Sequence, residues 1–231
     1  MDGFTQTFTL RSLYGTDILV VANALDPENE TEWVLPTPSA FSGEEVAAVR
    51  DWVAQGGSLL LIADHMPFPG AAEQLASAFG VYMCNGFAMT NGTDEGKMVF
   101  SKRAGTLPDH PITRGRSAAE AIDSVVSFTG QAFRVSAGGE PLMILGNDTR
   151  VLMPPVAWQF SRLTPSFPGD GMLQGAAVRV GRGRVAVFGE AAMFSAQVAG
   201  PGRAPMGVND PSAPQNAQFL LNIIHWLSGV L

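Results

Sequence analysis

The chain is poor in several residues that usually advertise a function. It holds one cysteine, Cys84, in 231 residues, so no intramolecular disulfide can form and the redox compartment is left open. Charged residues make up only 15%, well below the quarter usual in soluble domains. The formal net charge is −7, and there is no Lys/Arg cluster to neutralise phosphates, which argues against a nucleic-acid partner. The one basic spot, Arg179 to Arg184, reads as a hairpin turn. No apolar run approaches the length of a membrane span, and the N-terminus lacks a basic-then-apolar signal. The expectation is a protein of the cytoplasm without a membrane partner. No G-x-S-x-G elbow, P-loop or G-x-G-x-x-G is present, so serine-hydrolase, NTPase and dinucleotide readings lack their motifs.

What is present is apolar residue, glycine and proline. Hydrophobic residues reach 46%, with 26 Gly and 16 Pro. That supports a sizeable core with long ordered connections. No repeat or shift of composition divides the chain, so residues 1–231 are expected to form a single domain. The organising stretch is Ser58 to Gly70. Its apolar run Leu59–Ala63 follows Gly56-Gly57 and reads as a strand buried on both faces. It ends abruptly in Asp64-His65, and ligands of open α/β sheets sit outside the carboxyl ends of strands.

Around that stretch the spacing predicts alternating elements. Phe4–Leu10 and Asp17–Ala22 read as strands, the second ending at Asn23. Ser42-Gly43-Glu44-Glu45 forms a capping box. The helix it opens carries Val46, Val49, Trp52 and Val53 on one stripe and stops at Gly56. Strand, helix and strand in this order predict a right-handed parallel crossover. A helix over Gly70–Phe79 would turn its N-terminal amides toward Asp64-His65. Val81–Cys84, Met98–Lys102, Val125–Phe133 and Leu142–Leu145 read as strands, residues 85–97 as an exposed loop, and Leu107–Thr113 as a rigid loop. Gln174–Val180 and Arg184–Phe188 read as a hairpin, and Ala217–Leu227 as a terminal helix.

The segment F-S-G-E-E-V-A-A-V-R-D-W-V-A-Q-G-G-S-L-L-L-I-A-D-H resembles the helix, Gly-Gly, strand and elbow of class I glutamine-amidotransferase-like domains. The closing G-R-G-R-V-A-V-F-G-E-A-A-M-F and N-A-Q-F-L-L-N-I-I-H-W-L fit their last strand and terminal helix. The chain is also similar to soluble domains of gliding-motility transporters and intraflagellar-transport proteins. The resemblance implies a bacterial branch lacking the nucleophilic cysteine, shortened at its N-terminus. It further implies a three-layer α/β sandwich with a mainly parallel, flavodoxin-like sheet. A missing strand would leave an unpaired edge, so a homodimer or a partly rearranged sheet is expected. Asp64-His65 replaces the nucleophilic Cys at the elbow, and Gly189-Glu190-Ala191 stands where His-Pro-Glu would be. Chemistry by a Cys-His pair is therefore unsupported, and a degenerate amidotransferase using Cys84 is a remote alternative.

The strand-end residues carry the chemical expectation. Asp64, His65 and Glu190 are expected to be catalytic, as general base and orienting groups or as metal ligands. The plainer alternative has Asp64 capping its loop and His65 packing beside Phe68. Glu190 follows a buried strand and is expected at the same edge, either as ligand or base, or in a salt bridge with an arginine such as Arg114. His110, in Asp109-His110-Pro111, completes a mixed N/O set of Asp64, His65, His110 and Glu190 suited to a divalent metal, zinc preferred. Asn23, Phe68, Ser195 and Gln197 are expected to bind substrate. Trp33, Phe87 and Phe194, with the methionines of the loops, would line an apolar pocket, and His225 would pack in the terminal helix. The leading expectation is a hydrolase of small-molecule ester-like bonds, carboxylic or phosphoric. The rival is a non-catalytic binding module.

Overall fold

The computed structural model of the protein describes residues 3, 5–90 and 96–231. Strand β1 spans Ile18–Ala22. Residues 5–10, expected to belong to a strand with Phe4, form none; Phe4 lies outside the described residues. Helix α1, Gly43–Ala54, has the expected capping box, Ser42 accepting from the Glu45 amide and Glu45 from the Ser42 amide. Strand β2, Ser58–Ile62, is buried at every position. Helix α2, Phe68–Ser77, begins two residues earlier than the sequence suggests and carries Pro69 in its first turn, where a missing amide hydrogen costs nothing.

Strands β3, β4 and β5 follow at Val81–Met83, Phe87–Thr90 and Lys97–Ser101. The segment expected as a loop over 85–97 thus contains a strand, and residues 91–95 lie outside the described ones. The proline-flanked loop closes into a short helix α3, Pro111–Arg114, capped by His110. The strand expected over Val125–Phe133 is two, β6 at Ser124–Phe128 and β7 at Phe133–Val135. Thr129 and Gly130, both at φ +86, break it, since left-handed residues cannot continue a ladder. Then come β8 Glu140–Ile144, β9 Thr149–Leu152, β10 Ser166–Pro168, β11 Leu173–Val180 and β12 Gly183–Phe188. Strands β13, Ala196–Ala199, and β14, Ala204–Gly207, precede helix α4, Asn216–Leu227.

The main sheet has the order β1-β2-β12-β11-β7-β3, with β8 also pairing β11. Only β1–β2 and β2–β12 are parallel. The pairs β12–β11, β11–β7, β11–β8 and β7–β3 are antiparallel. Three further sheets, β10-β9-β4, β13-β14 and β5-β6, are antiparallel as well. This corrects the expectation of a three-layer α/β sandwich with a mainly parallel sheet. The architecture is strand-rich and mixed, with several sheets and few helices. The reason is connection length. Parallel pairing needs a crossover of a dozen or more residues, while hairpins need only a few. Helix α1 supplies such a crossover between β1 and β2, but Gly181-Arg182 joins β11 to β12 directly.

Of the parallel trio, β2 and β12 are buried on both sides while β1 exposes one face, which is why β2 reads as an uninterrupted apolar run. Leu59, Leu61, Val185 and Val187 belong to the core that includes Val49, Val53 and Leu75 of α1 and α2. Leu60, Ile62, Ala186 and Phe188 belong to the opposite core, with Phe219, Ile223 and Trp226 of α4. Truncating any of these leucines to alanine costs about 2–5 kcal/mol. The rigid ends of these three strands carry the candidate site. Among the described residues no helix is long and apolar enough to cross a membrane.

Candidate functional site at the carboxyl ends of the parallel strands

Because β1, β2 and β12 run parallel, the residues that follow them emerge at one edge. Hydrogen bonds continue across that edge beyond the strands. The Asn23 amide donates to the Ile62 carbonyl at 2.9 Å and the Ala63 amide to the Phe188 carbonyl at 3.0 Å. Asn23 sits at φ +50, a conformation that asparagine tolerates better than most residues. Its Oδ1 accepts from the Asp64 amide at 2.9 Å. Asp64 in turn accepts from the His65 amide at 2.7 Å and from the Ala191 amide. Asn23, Asp64 and the loop carrying Glu190 are thereby tied together.

Glu190 is fully buried. Its two oxygens accept from the Ala192 amide at 2.6 Å and the Met193 amide at 2.8 Å, and the Phe128 amide also reaches it. Burial, and then the neighbouring Asp64 charge, push its carboxyl up to about 8, with the three amides pulling the other way. Burial also raises Asp64, against the attraction of His65 and the two amides it accepts from. Two carboxyl groups in one poorly solvated site cannot easily both ionise. At neutral pH the pair retains a proton.

His65 is enclosed by rings. Phe87 stacks on it with centroids 4.7 Å apart and planes 12° apart, and Trp158 meets it edge-on at 4.6 Å. Trp33 and Phe68 complete the enclosure at 5.7 and 5.9 Å. Imidazole Nδ1 lies 2.8 Å from the Met66 carbonyl. A carbonyl only accepts, so Nδ1 carries a hydrogen and Nε2 is the nitrogen left for chemistry. The loops bearing the two tryptophans are fastened to each other, the Leu35 amide donating to the Pro155 carbonyl and the Ala157 amide to the Trp33 carbonyl, both at 2.9 Å. Phe160 extends the aromatic group, 5.1 Å from Phe87. It also lines an open groove of about 620 Å³ with Leu35, Met153 and Leu163. A larger cleft of about 770 Å³, around Lys97, Phe100, Asp148 and Asp170, contains none of the strand-end residues.

Asp64, Glu190, His65, Asn23 and Phe68 therefore gather as the sequence suggested, and Trp33 and Phe87 join them. The amide of Phe68, the first residue of α2, donates to the His65 carbonyl at 3.2 Å, so the helix start is fastened to the site. His110 does not belong. It packs 5.7 Å from Trp226 and 3.4 Å from Glu140. Trp226 lies under Arg184, which pairs with Ser58 at the opposite end of β2. There His110 Nδ1 accepts from the Ile112 amide at 3.1 Å, and burial lowers its pKa. Among the described residues no group of three or more His, Cys, Asp or Glu is placed to hold a metal ion. The expected zinc set of Asp64, His65, His110 and Glu190 is thereby withdrawn, because strand-end spacing says nothing about which end a loop histidine reaches.

The remaining residues have other partners. Ser195 Oγ donates to the Ala192 carbonyl at 2.9 Å, and Gln197, exposed on β13, points Nε2 at the Met206 sulfur, 3.4 Å away. Phe194 packs on Phe188 and Phe219 in the α4 core. Arg114 pairs with Asp109 at 2.5 Å and leaves Glu190 to backbone amides. Cys84 is half-buried, and burial raises its thiol, the reverse of what a nucleophile needs. Three residues at the site escaped the sequence: Trp158, Gln131 and Gln174. The last two are fully buried beside the strand ends. Nothing in their spacing marks them, since a buried amide reads like any loop or strand polar residue.

Mixed sheet, strand-end acids and an aromatic enclosure define a fold and a site, and comparison with known proteins agrees on the fold alone. No protein-family model matches the chain, and no curated protein matches it. Among solved structures, the chain is similar to the "mmIFT52 N-terminal domain", with a TM-score of 0.64, 14% identity, and 97% of this chain and 83% of that chain covered. It is also similar to "Cytoplasmic Protein STM1381 from Salmonella typhimurium LT2", at TM-score 0.51 and 16% identity, covering 95% and 75%. The glutamine-amidotransferase-like assignment is corrected accordingly. The helix, Gly-Gly and strand segment that suggested it is a local crossover that a mixed fold contains equally well.

Proposed function

We propose that the strand-end cluster is the acid–base centre of a hydrolase acting on small ester-like bonds, carboxylic or phosphoric, of a substrate bearing an apolar group. One observation carries the reading: a buried carboxyl pair in which Glu190 is pushed up to about 8 beside Asp64. A carboxyl pair that holds one proton near neutrality can accept a proton from water and return one to a leaving group. Asp64 keeps partial exposure while Glu190 has none. Asp64 is therefore the group that meets water and substrate, and Glu190 acts through it. His65 Nε2 orients the substrate. The exposed rings of Trp158 and Phe160, backed by the buried Phe87 and with the groove beside them, receive its apolar part. A bacterial cytoplasmic setting goes with this reading, in keeping with the similar Salmonella typhimurium protein, which is described as cytoplasmic.

The rival reading is a non-catalytic binding domain. It is favoured by the backbone amides that occupy both Glu190 oxygens, an arrangement that also serves simply to cap a loop. A panel of chromogenic carboxylic and phosphoric esters separates the two. The hydrolase reading expects turnover that Asp64→Asn abolishes at an unchanged melting temperature. Wild-type protein inert across the panel overturns it in favour of the binding domain.

A further inference from the structure

Two buried glutamines frame the carboxyl pair. Gln131 Nε2 donates to the Ala63 carbonyl at 3.4 Å, and the Gln131 amide donates to the Gly189 carbonyl at 2.7 Å. Ala63 precedes Asp64 and Gly189 precedes Glu190, so Gln131 bridges the two peptide groups from which the acids hang. Gln174 Nε2 donates to the Thr129 carbonyl at 2.7 Å and to the Gln131 carbonyl at 3.3 Å. Its own carbonyl accepts from the Gly189 amide at 2.8 Å. The turn delivering Gln131 is strained, Thr129 being a β-branched residue at φ +86, and such strain persists only where the surroundings enforce it.

The Gln174 side-chain amide and the Glu190 stem both border Gly130. A Cβ built on Gly130 would lie 2.8 Å from Gln174 Nε2 and 2.8 Å from Glu190 Cβ. Yet the side-chain oxygens of Gln131 and Gln174 are both buried without a hydrogen-bond donor. Buried acceptors rarely stay empty, and a carboxyl group that carries its hydrogen is a donor. We propose that Gln131 and Gln174 are the positioning residues of the Asp64–Glu190 pair, Gln131 setting the spacing of the two strand ends and Gln174 Oε1 accepting the hydrogen of a protonated Glu190 carboxyl. The inference rests on the acid–base reading above and deepens it by naming what orients the proton. Facing Glu190 are Asp64 from the end of β2, the amides of Ala192 and Met193 from its own loop and the Phe128 amide from β6, with Gln174 of β11 bordering the same Gly130.

Infrared difference spectroscopy on the full chain tests this without any turnover. The C=O band of the protonated carboxyl is assigned by its loss in Glu190→Gln. It should lie where hydrogen-bonded carboxyl groups absorb, and Gln174→Met should shift it toward higher frequency, though not to the position of a free carboxyl, because the amides of Ala192 and Met193 still bond the group. Gln131→Met should leave the band in place and, where turnover exists, lower kcat at an unchanged KM. A wild-type band already at the free position overturns the proposal even if no variant folds. A band unmoved by Gln174→Met, with only the melting temperature lowered, overturns it as well. An inert wild type with the expected band shift would sink the hydrolase reading and leave the positioning intact.

Discussion

At the scale of single residues, the site is an exercise in placing two acids where water barely reaches. Glu190 is uncharged below its folded pKa of about 8 and has an ordinary value of 4.5. A raised carboxyl value means the folded chain binds the proton more tightly than the unfolded chain. Its contribution to stability is therefore complete below about pH 4.5 and is lost as pH rises through about 8. Chemical denaturation across this range should show stability falling with pH, and Glu190→Gln should flatten that slope. A slope unchanged by the substitution would show that Glu190 ionises normally. Asp64 and Glu190 were legible in the sequence because each follows an apolar run that had to be a buried strand. The plainer reading of Asp64-His65 is met in the geometry, since Asp64 ties the loop and His65 packs against Phe68. Gln131 and Gln174 were not legible. Their importance lies in burial and in unpaired oxygens, and neither property has a spacing.

At the scale of elements, the carboxyl ends of β2 and β12 are aligned by their register, Ile62 beside Phe188, and the 129–131 turn locks them from behind. Gly130 has no room for a side chain. A Cβ there would run into the Gly189 carbonyl and the Glu190 stem, at a left-handed φ that alanine avoids. Gly130→Ala should cost about 1–3 kcal/mol in strain alone, measured by denaturant unfolding, and should also disturb the Glu190 carboxyl band. A tolerated Gly130→Ala with an unaltered band would mean that the turn does not brace the pair. The helices α1 and α4 and the β11–β12 hairpin were readable from capping, period and turn signals. The split of Val125–Phe133 into two strands was not, because a threonine at positive φ obeys its neighbours and not its own preference. His110 shows the same limit. A proline-flanked histidine announces a fixed shape, but only the fold decides that it caps α3 beside Trp226.

At the scale of the whole molecule, the family resemblance and one crossover helix near the start suggested a mainly parallel sheet, whereas most strand pairs after that crossover are antiparallel. The parallel trio remains as the rigid platform, and antiparallel strands fill out the rest. Strand β1 ends the main sheet on one side, with an uncharged sequence and Val20 36% exposed. Such an edge lacks the lysines and prolines that normally discourage pairing. The homodimer expected from the sequence would use it, and sedimentation velocity should then show Val20→Lys shifting dimer to monomer at unchanged melting temperature. A monomeric wild type would dismiss the expectation.

The central claim is that Asp64, tuned by Glu190, activates water for ester cleavage. Its most direct test is the rate of ester hydrolysis by wild-type and Asp64→Asn protein under identical conditions, with melting temperatures measured in parallel. The expected result is turnover in the wild type and its loss in Asp64→Asn, with both proteins melting alike. Equal rates in the two folded proteins, or none in the wild type, would contradict it.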